Sequence, residues 1–93
     1  MKIAFVGDVV GKPGRLAVRS LLPKLITDSN EFDAIIINGE NSSGFRGITH
    51  RIFKEFIRAG ATVVTTGNHV WAQRDVFNFI DNEPRIVRPA NYP

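Results

Sequence analysis

The sequence predicts an α/β layered domain with a parallel sheet, laid out as β-α-β-α-β-α-β. Three observations predict it. Short apolar runs alternate along the chain with segments of helical periodicity, the pattern of repeated βαβ units. The first three runs each end in a compact polar cluster: Gly7-Asp-Val-Val-Gly11, Asn38-Gly-Glu-Asn41 and Gly67-Asn-His69. The chain has 93 residues, 43% of them hydrophobic, which is enough apolar material for one small domain and too much for disorder.

Ile3 to Val6 reads as a buried strand and Gly7 to Pro13 as a loop, with Pro13 suited to the first turn of a helix, where a missing N–H costs nothing. Leu16, Leu21, Leu22, Leu25 and Ile26 recur at helical spacing, and Pro23 inside that pattern is expected to kink the helix or end it early. Ala34 to Ile37 is the second strand. Gly39 to Gly47, with three glycines and two serines, reads as a flexible loop. Thr49 is a candidate N-cap, Ile48 and Phe53 a hydrophobic staple, and Ile52, Phe53, Phe56 and Ile57 an apolar stripe, with Gly60 as C-cap. Ala61 to Thr66 is a β-branched third strand. Val76, Phe77 and Ile80 predict a third helix before Pro84, and Ile86-Val87 a fourth strand. Right-handed crossovers place the helices against the sheet, and one sheet edge is expected to stay open.

The chain carries 12 Lys and Arg against 9 Asp and Glu, a net charge of +3. That mild excess favours anionic substrates. The basic residues look scattered along the sequence, so no single basic face is expected. The absence of cysteine excludes disulfides, thiolate metal sites and Cys nucleophiles. No stretch approaches the ~18–20 apolar residues of a membrane span, and the N-terminal apolar run is too short for a secretory signal, so a soluble cytoplasmic protein without membrane contact is expected. Gly7 to Pro13 lacks the four-residue gap and the Ser/Thr of a P-loop. Gly7, Gly11 and Gly14 miss the dinucleotide spacing, and Ser42 and Ser43 have no elbow motif.

Parallel strands end on one sheet edge, so the three clusters converge in the crevice where such sheets bind ligands. Asp8 and Glu40 are carboxylates suited to a hard cation, and Glu40 has two oxygens with which to bridge a metal pair. Asn41 and Asn68 offer neutral carbonyl oxygens that leave room for an incoming phosphate. His69 is a candidate general acid. The pattern points to a metal-dependent hydrolase.

At these residues the sequence resembles the calcineurin-like metallophosphoesterase superfamily, and within it the YmdB-like branch. The matching segments are Gly7 to Arg15, Asn38 to Asn41, Gly47 to Thr49, Thr66 to Trp71 and Arg88 to Pro93, in order along the chain. The resemblance implies a two-metal phosphodiesterase acting on phosphodiesters, in particular 2′,3′-cyclic nucleotides. Asp8 would bind one metal, Glu40 bridge both, Asn41 complete the first set and Asn68 bind the second, with His69 as proton donor. Iron or manganese are the implied metals. The superfamily usually has a His two residues after the first Asp. Here that position is Val10, a departure shared with the YmdB-like branch.

Members are more than twice this length and take their remaining ligands from C-terminal histidines. The chain is therefore expected to be the N-terminal part of a single metallophosphoesterase α/β sandwich domain, with the C-terminal part absent and the metal site incomplete. By itself it is expected to bind metal weakly and to show little activity. His50, outside the motifs, reads as a surface residue. Two other function classes stay open: a non-catalytic assembly module from a truncated or split form, expected to self-associate as a homo-oligomer, and an RNA-related role. The aromatics mostly look like core, so no stacking platform for RNA is expected.

Overall fold

The computed structural model describes residues 1–29 and 31–93. Strands β1 (Ile3–Val6), β2 (Ala34–Asn38), β3 (Val63–Thr65) and β4 (Ile86–Val87) form one parallel sheet in the order β1-β2-β3-β4. Helices α1 (Gly11–Ser29) and α2 (His50–Ala59) connect the first three strands and pack on each other. Every step to the next strand runs the same way across the sheet, so right-handed crossovers bring both helices to one face.

The register fixes which side chains meet them. Ala4 pairs with Ile35, Val6 with Ile37, Ile37 with Val64 and Val64 with Ile86, so these residues share the helix-covered face. Ile37 and Val64 are completely buried there, against Phe53 and Phe56 of α2 in one core cluster. On the other face Phe5 aligns with Ile36 and Val63, and Thr65 with Val87. No element covers this side among the described residues, and Ile3, Phe5 and Val87 are exposed.

Helix α2 forms as expected. The Thr49 hydroxyl accepts from the Ile52 N–H at 3.3 Å. At the other end Gly60, with φ +122°, donates its N–H to Ile57 O. Its missing Cβ matters twice, because a Cβ there would also collide with Ile26 Cδ1 of α1.

Four expectations need correction. Pro23 does not end α1, which runs six residues further to Ser29. Proline deprives the Arg19 carbonyl of its helical partner, and both residues lie on the solvent side, where water can replace it. Leu16, Leu21 and Leu25 are exposed rather than core, while Val18 and Leu22 carry the buried face. The third helix is instead two short 3₁₀ turns, Arg74–Asn78 and Ile80–Asn82. Tertiary anchors override the 3.6-residue period there. Asp75 accepts from the His50 N–H, Gln73 donates to Arg46 O, and Phe79 stacks on the His50 ring with centroids 4.6 Å apart. A three-residue period puts both Val76 and Phe79 into the core. His50 is consequently half-buried against Phe79, not a surface residue.

Candidate active site

Three loops leave the same edge of the sheet. After β1 the chain turns through Asp8, the one non-glycine residue among those described with positive φ (+34°), a conformation Asp tolerates better than most residues. The Val9 N–H then bonds Asn38 O at 3.1 Å and the Gly11 N–H bonds Asn41 O at 3.1 Å, tying the first loop to the second. After β2, the Asn38 side chain accepts from the Glu40 N–H at 3.1 Å. Ser42, fully buried, donates through Oγ to Gly39 O at 2.6 Å, and the Arg15 guanidinium donates to Ser42 O at 2.7 Å. The loop that reads as flexible from its glycines is thus tied down by named bonds. After β3, Gly67 and His69 come up beside it.

The side chains form a chain of contacts. Asn41 Nδ2 donates to Asp8 Oδ1 at 2.9 Å, and Asn41 Oδ1 lies 2.9 Å from His69 Nδ1. A carboxylate can only accept, so Asn41 must turn its amide nitrogen to Asp8 and its oxygen to His69. That oxygen cannot donate, so the proton of this bond sits on His69 Nδ1. Nε2 is left free of Asn41. Glu40 Oε2 lies 4.0 Å from His69 Nδ1. It is buried and has no hydrogen-bond partner. Gly67 makes its space: a Cβ at that position would collide with Glu40 Oε2 and lie 2.5 Å from its Cδ.

Asp8, Glu40, Asn41 and His69 therefore come together. Asn68 stands between Gly67 and His69, with its side chain exposed and without a hydrogen bond among the described residues. Two contributors escaped residue-by-residue reading. Gly67 acts by lacking a side chain, and Arg15 acts through a backbone carbonyl. Only their places in the motifs signalled them.

A buried carboxylate oxygen without a partner is costly unless a donor or cation meets it. The donor set of two carboxylates, two amides and an imidazole suits a hard or borderline metal ion. The residues present fit part of a metal shell: no group of three or more His, Cys, Asp and Glu able to hold an ion occurs among the described residues.

A parallel sheet whose strand-end loops gather polar side chains at one edge defines a class, the α/β proteins that bind their ligands at that edge. The chain belongs to the YmdB-like protein family, whose model matches residues 4–93. It is 47% identical over its whole length to the 2′,3′-cyclic-nucleotide 2′-phosphodiesterase of Bacillus subtilis, covering 35% of that protein. Among solved structures, a protein of Thermus thermophilus superposes with a TM-score of 0.89 at 39% identity, over all of this chain and 35% of that one. A phosphatase of Mycoplasma pneumoniae superposes with a TM-score of 0.86 at 32% identity, over 96% of this chain and 31% of that one. The chain spans about a third of the length of these relatives.

Proposed function

We propose that the chain carries the N-terminal half-site of a metal-dependent phosphodiesterase acting on 2′,3′-cyclic nucleotides, within a single domain of the relatives' length. The observation that carries this reading is the orphaned Glu40 oxygen in the space beside Gly67, 4.0 Å from His69, which Asn41 links to Asp8. The name of the B. subtilis relative supports the substrate class. Asp8, Glu40, Asn41 and Asn68 would hold two metal ions, with manganese or iron suited to the donor set. When bound, the metals supply Lewis-acid neutralisation of charge on the phosphoryl oxygens.

The chain's own residues handle the proton. Asn41 pins His69 Nδ1–H, so Nε2 is the nitrogen that can change protonation. Water attacks phosphorus and loses a proton to solvent, the P–O bond to the ribose oxygen breaks, and Nε2–H protonates that oxygen. The ring keeps its orientation because the Asn41 bond persists in both charge states. No helix of the described residues is long and apolar enough to cross a membrane, and a cytoplasmic location belongs to the proposal.

The test compares hydrolysis of a 2′,3′-cyclic nucleotide by this chain and by a polypeptide of the relatives' full length that contains it. His69→Ala is expected to lower turnover at least about 100-fold with metal content unchanged. Loss of metal in that variant would make His69 a ligand, and hydrolysis untouched by both His69→Ala and Asp8→Ala would sink the reading.

One observation favours a second reading, an assembly module. The uncovered sheet face and the apolar groove between β1 and α1, lined by Val6, Leu21 and Leu25, leave large hydrophobic surface exposed. A homo-oligomer by light scattering, with no metal-dependent hydrolysis in either polypeptide, would support it.

A further inference from the structure

We propose that the groove between α1 and α2 binds the phosphate backbone of single-stranded RNA whose 3′ end enters the Asp8–His69 cluster. The proposal rests on the phosphodiesterase reading and narrows its substrate class from a mononucleotide to an RNA end.

Folding collects a basic face that the linear sequence scatters. Lys12, Arg15 and Arg19 lie three and four residues apart on α1, hence on one side of it. Arg51 meets them from the first turn of α2, and Leu16 and Glu55 complete the groove. It holds four cations against one anion. The remaining eight Lys and Arg are balanced by the remaining eight Asp and Glu, so the whole net charge of +3 resides here. The expectation that no single basic face exists is thereby overturned. Glu55 is met by Arg51 at 3.3 Å, while Lys12 and Arg19 form no ion pair among the described residues.

The groove begins at the candidate active site. Arg15 holds Ser42 O, one residue from Asn41, and the Gly11 N–H holds Asn41 O. From Lys12 to Arg19 it runs about 10 Å along the helix, away from the cluster. Phe45, 78% exposed, follows Gly44, whose carbonyl lies 2.6 Å from where a Gly11 Cβ would be. An exposed aromatic ring therefore stands on the loop that meets the start of α1 at Gly11, the residue before Lys12. Of nine aromatics, six lie in the core or pack against it, as expected, and Phe45 is one of three that are exposed. A cationic track with a stacking aromatic is how sequence-tolerant single-strand binders are built. The cyclic phosphate selects RNA, because it needs a 2′-hydroxyl. It also stands at a 3′ end, which leaves upstream phosphates to follow the groove.

The test is fluorescence anisotropy at several salt concentrations, using a 5′-labelled eight-nucleotide RNA ending in a 2′,3′-cyclic phosphate. Arg19→Gln/Arg51→Gln is the variant, since neither residue belongs to the cluster, and circular dichroism checks its fold. Four phosphate contacts predict a log–log salt slope near about −2.8 for the parent and about −1.4 for the variant, with affinity at 50 mM salt lower by at least about tenfold. An unchanged slope, no detectable binding by the parent, or equal binding of a DNA duplex of the same length overturns the proposal. The RNA's end separates the two readings. Groove-dependent binding that ignores a cyclic versus a hydroxyl 3′ end supports the RNA track and counts against the phosphodiesterase reading. Cyclic-end preference without dependence on Arg19 and Arg51 does the reverse.

Discussion

Replacing Glu40 with glutamine should raise the stability of the metal-free chain, and metal should reverse the order. Glu40 Oε2 is buried without a partner, and its side chain is 19% exposed. Leaving a buried polar group unsatisfied costs about 1–3 kcal/mol, more if it is charged. Glutamine keeps the shape, removes the charge and can leave its carbonyl oxygen in the buried position, where an under-satisfied acceptor is better tolerated. Partial exposure discounts the gain to about 1–2 kcal/mol. In a domain of this size each kcal/mol moves Tm by about 4–8 °C. Thermal unfolding followed by circular dichroism in chelator should therefore place Glu40→Gln at least about 4 °C above the parent. Adding Mn²⁺ stabilises only what binds it, by about 2.7 kcal/mol at a hundredfold excess over Kd. The parent should rise with manganese and the variant should stay flat. A metal-free variant no more stable than the parent would refute the reasoning that this oxygen is held at a cost. A variant that rises with manganese like the parent would remove Glu40 from the ligand set.

Further outcomes follow from single contacts. Thr49→Ala deletes the cap on Ile52 N–H and should cost about 1 kcal/mol, measured by urea denaturation with an unchanged m-value. Gly60→Ala combines positive φ with a clash on Ile26 and should cost about 1–3 kcal/mol, whereas relief of the clash by Ile26→Ala should make the pair non-additive in a double-mutant cycle. Gly67→Ala pushes into the Glu40 carboxylate and should weaken manganese binding in a titration, while Gly7→Ala, with open space around it and no positive φ, should leave binding unchanged. The side-chain hydrogen bond from Arg85 holds the Glu83 carboxyl below the usual glutamate range. A depressed folded value contributes stability above the unfolded value that is lost as pH falls through the folded one. The stability gap between the parent and Arg85→Leu should accordingly be full at neutral pH and close in acid. A gap that widened in acid would contradict that sign.

The sequence by itself determined the strand–helix alternation, the boundaries of α2 and the edge at which the ligand-type residues gather. These follow from local causes: β-branched runs, an N-cap hydroxyl at Thr49, a glycine at position 60, and the rule that parallel strands end together. Tertiary structure decided the rest. The stretch around Val76 carries a helical pattern, yet bonds from Asp75 and Gln73 and the seat of Phe79 on His50 wound it into 3₁₀ turns. Leu16, Leu21 and Leu25 satisfy helical periodicity, yet whether a stripe is buried depends on what lies against it. Asp8, Glu40, Asn41, Asn68 and His69 could be picked out by residue type and position. Only the fold put the Asn41 amide between Asp8 and His69 and left Glu40 Oε2 alone in the space Gly67 opens. The basic groove was the least legible feature, because Lys12 and Arg51 are far apart in sequence and become neighbours only when α1 and α2 pack on the same face of the sheet. Local pattern dictates which elements form, whereas long-range packing dictates which side chains meet.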